Sequence, residues 1–213
     1  FDHGYYSGGP EYGDPAMPEL PGSGGGSVDK SREGGGAIRV VADGHLAING
    51  LVTANGVNGA VNHGGGGSGG GIWLTCRTFG GQPSGVVQTL GGNGHSCGGC
   101  GGGGRIALHY ETAEQAGLPV PPVRFAAAAG LQGTDDRLPP LRRAMGTLFL
   151  SDARLLEAPL SGKRFDYVTL VIPGMAVWTN TGDLVLDDCR LELARGVSLN
   201  VTGSLLLTNN AAL

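Results

Sequence analysis

Three glycine runs, each followed by a short apolar strand, constrain this chain more than any other feature. The runs cover residues 34–36, 64–71 and 98–104, nearly without interruption. The strands that follow begin at Ile38, Ile72 and Ile106, so each starts 34 residues after the one before. A fixed period of this size, with a strand at the same phase, is typical of a repeat protein whose units pack on their neighbours.

The composition narrows the choice of architecture. Glycine accounts for 43 of the 213 residues, about three times its usual share of roughly 7%. Collagen is excluded because no long stretch has glycine at every third position and only 12 prolines occur. Disorder is disfavoured because the glycines alternate with Ile, Val, Leu and Trp and not with charged residues. Of these possibilities, the composition favours an ordered β architecture that depends on glycine.

Alternation within the three strands predicts which side chains face a core. The inward residues form three sets: Ile38, Val40 and Ala42; Ile72, Leu74 and Cys76; and Ile106, Leu108 and Tyr110. The opposite face receives Trp73 and the residues in phase with it. A second strand follows in each repeat, within residues 45–54, 86–89 and 123–126, and leads to a glycine turn.

The glycine runs themselves are predicted to be ordered. Flexible linkers at a fixed phase would lose backbone entropy on folding with nothing gained. A polyproline-II-like conformation, with three residues per turn, directs every N–H and C=O outward. Glycine lets such segments approach closely enough to hydrogen-bond to one another between successive repeats.

The last third of the chain has a shorter period. The sequences that begin at Gly182 and Gly203 match at an offset of 21 residues, with further alternating strands near residues 167–172, 190–193 and 197–201. We therefore predict an all-β protein, a right-handed parallel β-helix (solenoid) with stacked glycine-rich polyproline-II-like segments. A β-sandwich also fits the alternation, but few hairpin turns occur.

Three regions are predicted: an irregular N-terminal segment over residues 1–36, glycine-rich repeats over 37–146, and β-helix coils over 147–213. The chain starts at Phe1 without Met and ends inside a strand-like pattern. We expect a segment of a longer protein whose coils continue beyond it.

The charge balance limits the partners. Fourteen Lys and Arg stand against 18 Asp and Glu, without a basic stripe, so nucleic acid is not an expected partner. No apolar run is long enough to predict membrane insertion. Other copies of the chain, other domains of a longer chain, or surface glycans are the partners we expect, and no cofactor is expected.

The cysteines and one sequon indicate an extracellular or cell-surface location. The disulfide candidates are Cys76, Cys97, Cys100 and Cys189. In a three-residue-per-turn segment Cys97 and Cys100 would lie about 9 Å apart, too far for a mutual disulfide, so each needs another partner, with Cys76 the nearest candidate. Free thiols or half of a zinc site are the alternatives, although the ligand spacing for zinc is incomplete. Asn200 is the candidate glycosylation site.

The glycine runs that end in Gly-Gly-Gly-Ile-Trp-Leu and Gly-Gly-Gly-Gly-Arg-Ile-Ala-Leu, with Asn-Gly between them, resemble a family of glycine-rich surface proteins of bacteria, algae and other protists. The resemblance covers about residues 5–110. The tail rich in alanine and leucine is further similar to algal extracellular glycoproteins of the flagellar-hair (mastigoneme) type. Such a resemblance implies a structural, extracellular role.

Catalysis is not expected. Parallel β-helices include pectinases, which share Asn-Thr-Asp, Asp-Asp and Gly-His-Gly motifs on successive coils. Here the first motif is broken, the acidic pair follows it too soon, and no histidine is flanked by glycines. Asp187 and Asp188 alternate along a strand and so point to opposite faces, which prevents them from acting as a paired acid and base.

We predict a non-catalytic structural subunit of an extracellular filament or cell-surface coat. A glycan-binding adhesin is the first alternative, and a polysaccharide lyase or hydrolase is the second. The candidate glycan or subunit contacts are Trp73, Tyr5, Tyr6 and Tyr12. Packing within the protein is the competing interpretation for Trp73.

Overall fold

The computed structural model of the chain describes residues 11–26, 32–60, 63–133, 145–157 and 159–213. Strands dominate these residues, so the chain belongs to the all-β class. The strands are β1 (Ala37–Ile48), β2 (Leu51–Thr53), β3 (Gly71–Gly81), β4 (Val86–Gln88), β5 (Arg105–His109), β6 (Arg124–Ala126), β7 (Gly146–Leu150), β8 (Leu160–Ser161), β9 (Phe165–Val171), β10 (Val177–Asn180), β11 (Leu184–Asp187), β12 (Arg190–Leu193), β13 (Ser198–Val201) and β14 (Leu205–Thr208). A short helix, α1 (Thr112–Gln115), and a 3-10 turn, Arg154–Leu156, complete the elements.

The main sheet is a nearly closed parallel barrel of eight strands. Its strands follow the order β1-β3-β5-β7-β9-β6-β4-β2, and each neighbouring pair is parallel. The two ends of this path, β1 and β2, follow one another in the chain, and no pairing joins them among the described residues. The predicted right-handed parallel β-helix with stacked rungs is therefore wrong.

Strand β9 is the physical reason for the difference. Its first residues pair with β6, with Phe165 opposite Phe125, and its later residues pair with β7, with Val168 opposite Gly146. Between them Tyr167 has a φ of 54°, a left-handed conformation that re-aims the strand. One strand thus joins two series of strands, β1-β3-β5-β7 and β2-β4-β6. In a solenoid these two series would lie on separate faces.

The 34-residue spacing correctly predicts the register of the first strands. Ile38 lies opposite Ile72, and Ile72 lies opposite Ile106. The row continues through Leu148 and Leu170. Ile72, Ile106, Leu148 and Leu170 are fully buried, while Ile38 on the outermost strand is only partly buried. Alternation therefore places one face of each strand in the core, as the sequence predicts.

Aromatic side chains fill the core between the two series of strands. Phe125 stacks on Phe165 with 6.1 Å between ring centroids, and Phe79 lies at the same distance from Phe125. All three rings are buried. This cluster connects β3 with the neighbouring strands β9 and β6, which lie further along the path.

Most of the C-terminal strands form two smaller sheets, and β12 joins the main sheet as a ninth strand outside the barrel path. β11 pairs with both β8 and β14, β10 pairs with β13, and β12 pairs with β9, all in parallel. Leu184 lies opposite Leu205, which is the 21-residue offset expected from the sequence.

The glycine segments hydrogen-bond to one another through their backbones. Gly66 N–H donates to Gly99 O at 3.0 Å, and Gly69 N–H donates to Gly102 O at 2.9 Å. Both donors and both acceptors are three residues apart, the period of an extended three-residue-per-turn segment. A further bond, from Gly35 N–H to Ser68 O at 2.8 Å, connects the first run to the second.

The N-terminal segment of residues 11–26 lies over the outward face of the main sheet. The carbonyl of Ala16 contacts His109 Nε2 at 2.7 Å. Tyr12 lies near the Arg105 guanidinium, with 5.8 Å between the guanidinium carbon and the ring centroid. The segment therefore covers side chains that alternation alone directs toward solvent.

Helix α1 completes hydrogen bonds that the sheet leaves open. β5 ends at His109, opposite Thr75 of β3, so the later residues of β3 extend past it. The Gln115 side chain accepts a hydrogen bond from Phe79 N–H at 2.7 Å and donates one to Phe79 O at 3.1 Å. Gln115 is fully buried, so one amide side chain takes the place of a neighbouring strand.

Candidate functional site

The exposed strand edges are the most prominent candidate site in the described part of the chain. The first is at β14, which pairs with β11 on one side only. Leu205, Leu206 and Leu207 follow one another there and are 47%, 52% and 44% exposed. Three consecutive exposed leucines on an unpaired edge offer both apolar surface and free backbone hydrogen-bonding groups.

The exposure of β14 results from its position in the sheet. Leu160, Leu186 and Leu207 occupy one row across β8, β11 and β14. Leu160 and Leu186 are 2% and 0% exposed, in contrast to Leu207 at 44%. The inward row therefore reaches the edge without a further layer of described residues to cover it.

The second exposed edge is β1, where the path of the main sheet begins. β1 pairs with β3 only. Val41 on this strand and Leu51 at the start of β2 are each 60% exposed. Glu19 of the N-terminal segment lies 3.8 Å from Arg39, so that segment contacts β1 near its beginning and leaves Val41 exposed.

The candidate glycan contact Trp73 is already engaged within the protein. The Arg39 guanidinium carbon lies 4.2 Å from the centre of its ring, and His109 lies 6.1 Å away between ring centroids. His109 in turn stacks on Phe149 at 4.7 Å. Trp73 is half-buried in this row, and its indole nitrogen is buried without a hydrogen-bond partner.

Of the three candidate tyrosines, Tyr12 lies within the described residues. Tyr12 is exposed, and its hydroxyl donates to Pro21 O at 2.7 Å. The same hydroxyl accepts a hydrogen bond from Ser23 Oγ at 3.1 Å. Tyr5 and Tyr6 lie outside the described residues. A role for these three residues in glycan or subunit contact stays a prediction.

The four cysteines carry free thiols in this structure, and disulfide formation by them stays a prediction. Cys76 and Cys189 are buried. Burial raises the pKa of Cys76 to about 11, with its sulfur 3.6 Å from His109 O. Burial also raises the pKa of Cys189. Cys97 and Cys100 are partly exposed.

The structure brings Cys97 together with a histidine that the sequence analysis did not select. Cys97 Sγ lies 2.7 Å from His63 Nδ1. The two residues are 34 positions apart, the length of one repeat, which is the sequence signal that would have found the pair. Within the described residues no group of three or more His, Cys, Asp and Glu side chains is arranged to hold a metal ion.

The acidic residues weighed for catalysis have local partners, hydrogen bonds for Asp187 and an ion pair for Asp188. Asp187 accepts hydrogen bonds from Thr208 and Asn209 at 3.1 and 2.6 Å. Asp188 lies 4.0 Å from the Arg190 guanidinium and has a φ of 51°. Asp187 borders a shallow pocket between β8 and β11 that also contains Asp183.

The candidate glycosylation site is accessible. Asn200 is exposed on β13, opposite Thr179 of β10. The hydroxyl of Thr202, the last residue of the sequon, accepts a hydrogen bond from Gly182 N–H at 2.9 Å. Glycosylation at Asn200 stays a prediction.

Comparison of the chain with protein-family models, with curated proteins and with solved structures finds no match to any of them. In the residues that the structure describes, no helix is long and apolar enough to cross a membrane.

Proposed function

We propose that this protein is a non-catalytic structural subunit that assembles, through its exposed strand edges, into an extracellular filament or cell-surface coat. The observation that carries the proposal is the pair of unpaired apolar edges, β1 and β14. An exposed strand edge is a template for pairing with another chain unless it is blocked. Apolar side chains on both edges make such pairing favourable through burial.

The direction of the strands supports contact between unlike edges. Every strand pair named above is parallel. Addition of β14 of one copy to β1 of the next therefore repeats an arrangement that the chain already uses. A contact between two different surfaces of the same molecule propagates, and it gives a filament when the rotation does not close a ring.

The assembly is tested by sedimentation velocity over a wide range of protein concentration, together with electron microscopy. We expect the native protein to form larger species as concentration rises. Leu206→Lys on β14 and Val41→Lys on β1 should each shift the distribution to monomer, because a charge on either edge opposes pairing. Leu118→Lys is the control, since Leu118 is an exposed leucine outside the strands.

Mixing the two edge variants separates head-to-tail contact from other modes. The Leu206→Lys protein keeps an intact β1 edge and the Val41→Lys protein keeps an intact β14 edge. An equimolar mixture should give dimers and no longer species. A native protein that stays monomeric at every concentration and salt would contradict the proposal.

Each of the two alternative functions has a separate test. A glycan-binding adhesin predicts saturable binding to surface glycans that is lost in Trp73→Ala or Tyr5→Ala. A polysaccharide lyase or hydrolase predicts turnover of acidic polysaccharides that is lost in Asp187→Asn or Asp188→Asn. A lack of binding across a glycan panel, or a lack of turnover, would remove the respective alternative.

A further inference from the structure

We propose that Cys97 and His63 form a thiol-modification site at which the Cys97 sulfur exchanges with organic disulfides. The two atoms that meet are Cys97 Sγ and His63 Nδ1, 2.7 Å apart. An imidazole nitrogen at this distance can take the thiol proton and leave a thiolate, which is the form of cysteine that reacts.

The pair is positioned by the backbone of the glycine segments. His95 N–H donates to Gly64 O at 2.9 Å, next to His63 in the chain. Gly98 N–H, next to Cys97, donates to His95 O at 2.8 Å and closes a turn. These bonds hold the two segments in register, so that the cysteine and the histidine meet at adjoining positions.

Both sides of the pair have unusual backbone conformations. His63 has a φ of 67°, and Ser96, which precedes Cys97, has a φ of 54°. Left-handed conformations are costly for residues other than glycine. Here each directs its segment so that the sulfur and the imidazole face one another at the surface, where His63 is exposed and Cys97 partly exposed.

The other cysteines lack this combination of access and a proton acceptor. Cys76 and Cys189 are buried, and burial raises the pKa of each thiol. Cys100 is partly exposed on the same segment as Cys97, but among the described residues its sulfur has no histidine contact. Cys100 is therefore an internal control for exposure without the imidazole.

The chemical step is a thiol–disulfide exchange. The Cys97 proton moves to His63 Nδ1, and the thiolate attacks one sulfur of an organic disulfide. The new sulfur–sulfur bond forms at Cys97 as the old one breaks, and the second sulfur leaves as a thiolate with the electron pair. Cys97 ends as a mixed disulfide, the proton on His63 passes to the released thiolate, and the resulting thiol is the reduced product.

The site is tested with 5,5′-dithiobis-(2-nitrobenzoate) as the disulfide, acid quenching and peptide mapping by mass spectrometry. We expect Cys97 to be modified about tenfold faster than Cys100 in the native chain, because only Cys97 has the imidazole. His63→Asn should lower the Cys97 rate to that of Cys100, since Asn tolerates a positive φ but takes no proton.

The comparison of two cysteines within one native molecule keeps the test decisive even where the variant unfolds. Equal rates at Cys97 and Cys100 in the native chain would overturn the proposal. A Cys97 rate that is unchanged in a folded His63→Asn protein would also overturn it, because exposure and not the imidazole would then set the reactivity.

Discussion

Individual glycines have different roles within one run, and neighbouring positions show it most clearly. A methyl group at Gly101 would overlap the carbonyl oxygen of Gly67, whereas a methyl at Gly102 would meet no atom within 4 Å. Gly101 N–H also donates to Gly92 O at 2.9 Å. Glycine is therefore required only at those positions of the run where an adjoining segment packs against the backbone.

The first prediction compares Gly101→Ala with Gly102→Ala. We expect Gly101→Ala to lower the free energy of unfolding by about 3 kcal/mol or more, because the backbones of two segments must move apart. Gly102→Ala should be neutral or raise it by up to about 1 kcal/mol, since alanine restricts the unfolded chain. Urea unfolding followed by circular dichroism measures both, and equal effects would contradict this account of the packing.

The second prediction concerns the buried thiol of Cys76. Burial raises its pKa from the ordinary 9.0 to about 11. The unfolded chain then loses this proton near pH 9 while the folded chain keeps it to about pH 11. The stabilisation is complete below pH 9 and is lost as the pH rises to 11, which amounts to about 2 to 3 kcal/mol.

Urea unfolding at several alkaline pH values tests this in the native protein and in Cys76→Val. The valine variant should lose less stability between pH 9 and 11. Cys189 contributes in the same direction to both proteins and cancels in the comparison. Parallel pH profiles would show that the Cys76 thiol does not contribute.

At the scale of elements, strands of unequal length leave backbone groups that another element must complete. β3 has 11 residues and β5 has five, so Phe79 extends beyond the pairing with β5. Helix α1 has only four residues, too few to be stable alone. Its contribution is the Gln115 amide, which bonds both backbone groups of Phe79.

The third prediction is that Gln115→Met lowers the free energy of unfolding by about 2 to 4 kcal/mol. Methionine fills a similar volume but leaves a buried N–H and a buried C=O without partners. Gln88→Met is the matched control, because the Gln88 side chain makes one long hydrogen bond to Thr53, at 3.4 Å. Thermal unfolding measures the difference, and a similar loss in both variants would show that the Phe79 bonds add little.

At the scale of the whole molecule, β9 joins parts of the chain that are distant in sequence. It pairs with β6, β7 and β12, and Phe165 at its start stacks on Phe125. The repeats and the C-terminal strands therefore share one strand and one aromatic cluster. We expect them to unfold together.

The fourth prediction tests this cooperativity with the two tryptophans, Trp73 in β3 and Trp178 in β10. Fluorescence reports on Trp73 in Trp178→Phe and on Trp178 in Trp73→Phe. The two urea transitions should have the same midpoint after correction for the difference in stability between the two variants. Phe165→Ala should lower both midpoints, because it lowers the free energy of unfolding by about 3 to 5 kcal/mol. Phe149→Ala, on the half-buried outward face, should cost less. Separate transitions would indicate two independent units.

The sequence by itself determined which residues pair within the repeats and which faces of those strands are buried. The 34-residue and 21-residue spacings give the register of Ile38, Ile72 and Ile106 and of Leu184 and Leu205, because alternating apolar residues must share a face to be buried together.

Only the tertiary structure decided how the strands close and which side chains meet. The left-handed conformation of Tyr167 lets β9 pair with two series of strands, and no periodic pattern encodes such a bend. The covering of Trp73 and the contact of His63 with Cys97 likewise depend on segments far apart in the chain. Local alternation fixes the face of a side chain, whereas its neighbours across that face depend on the path of the whole backbone.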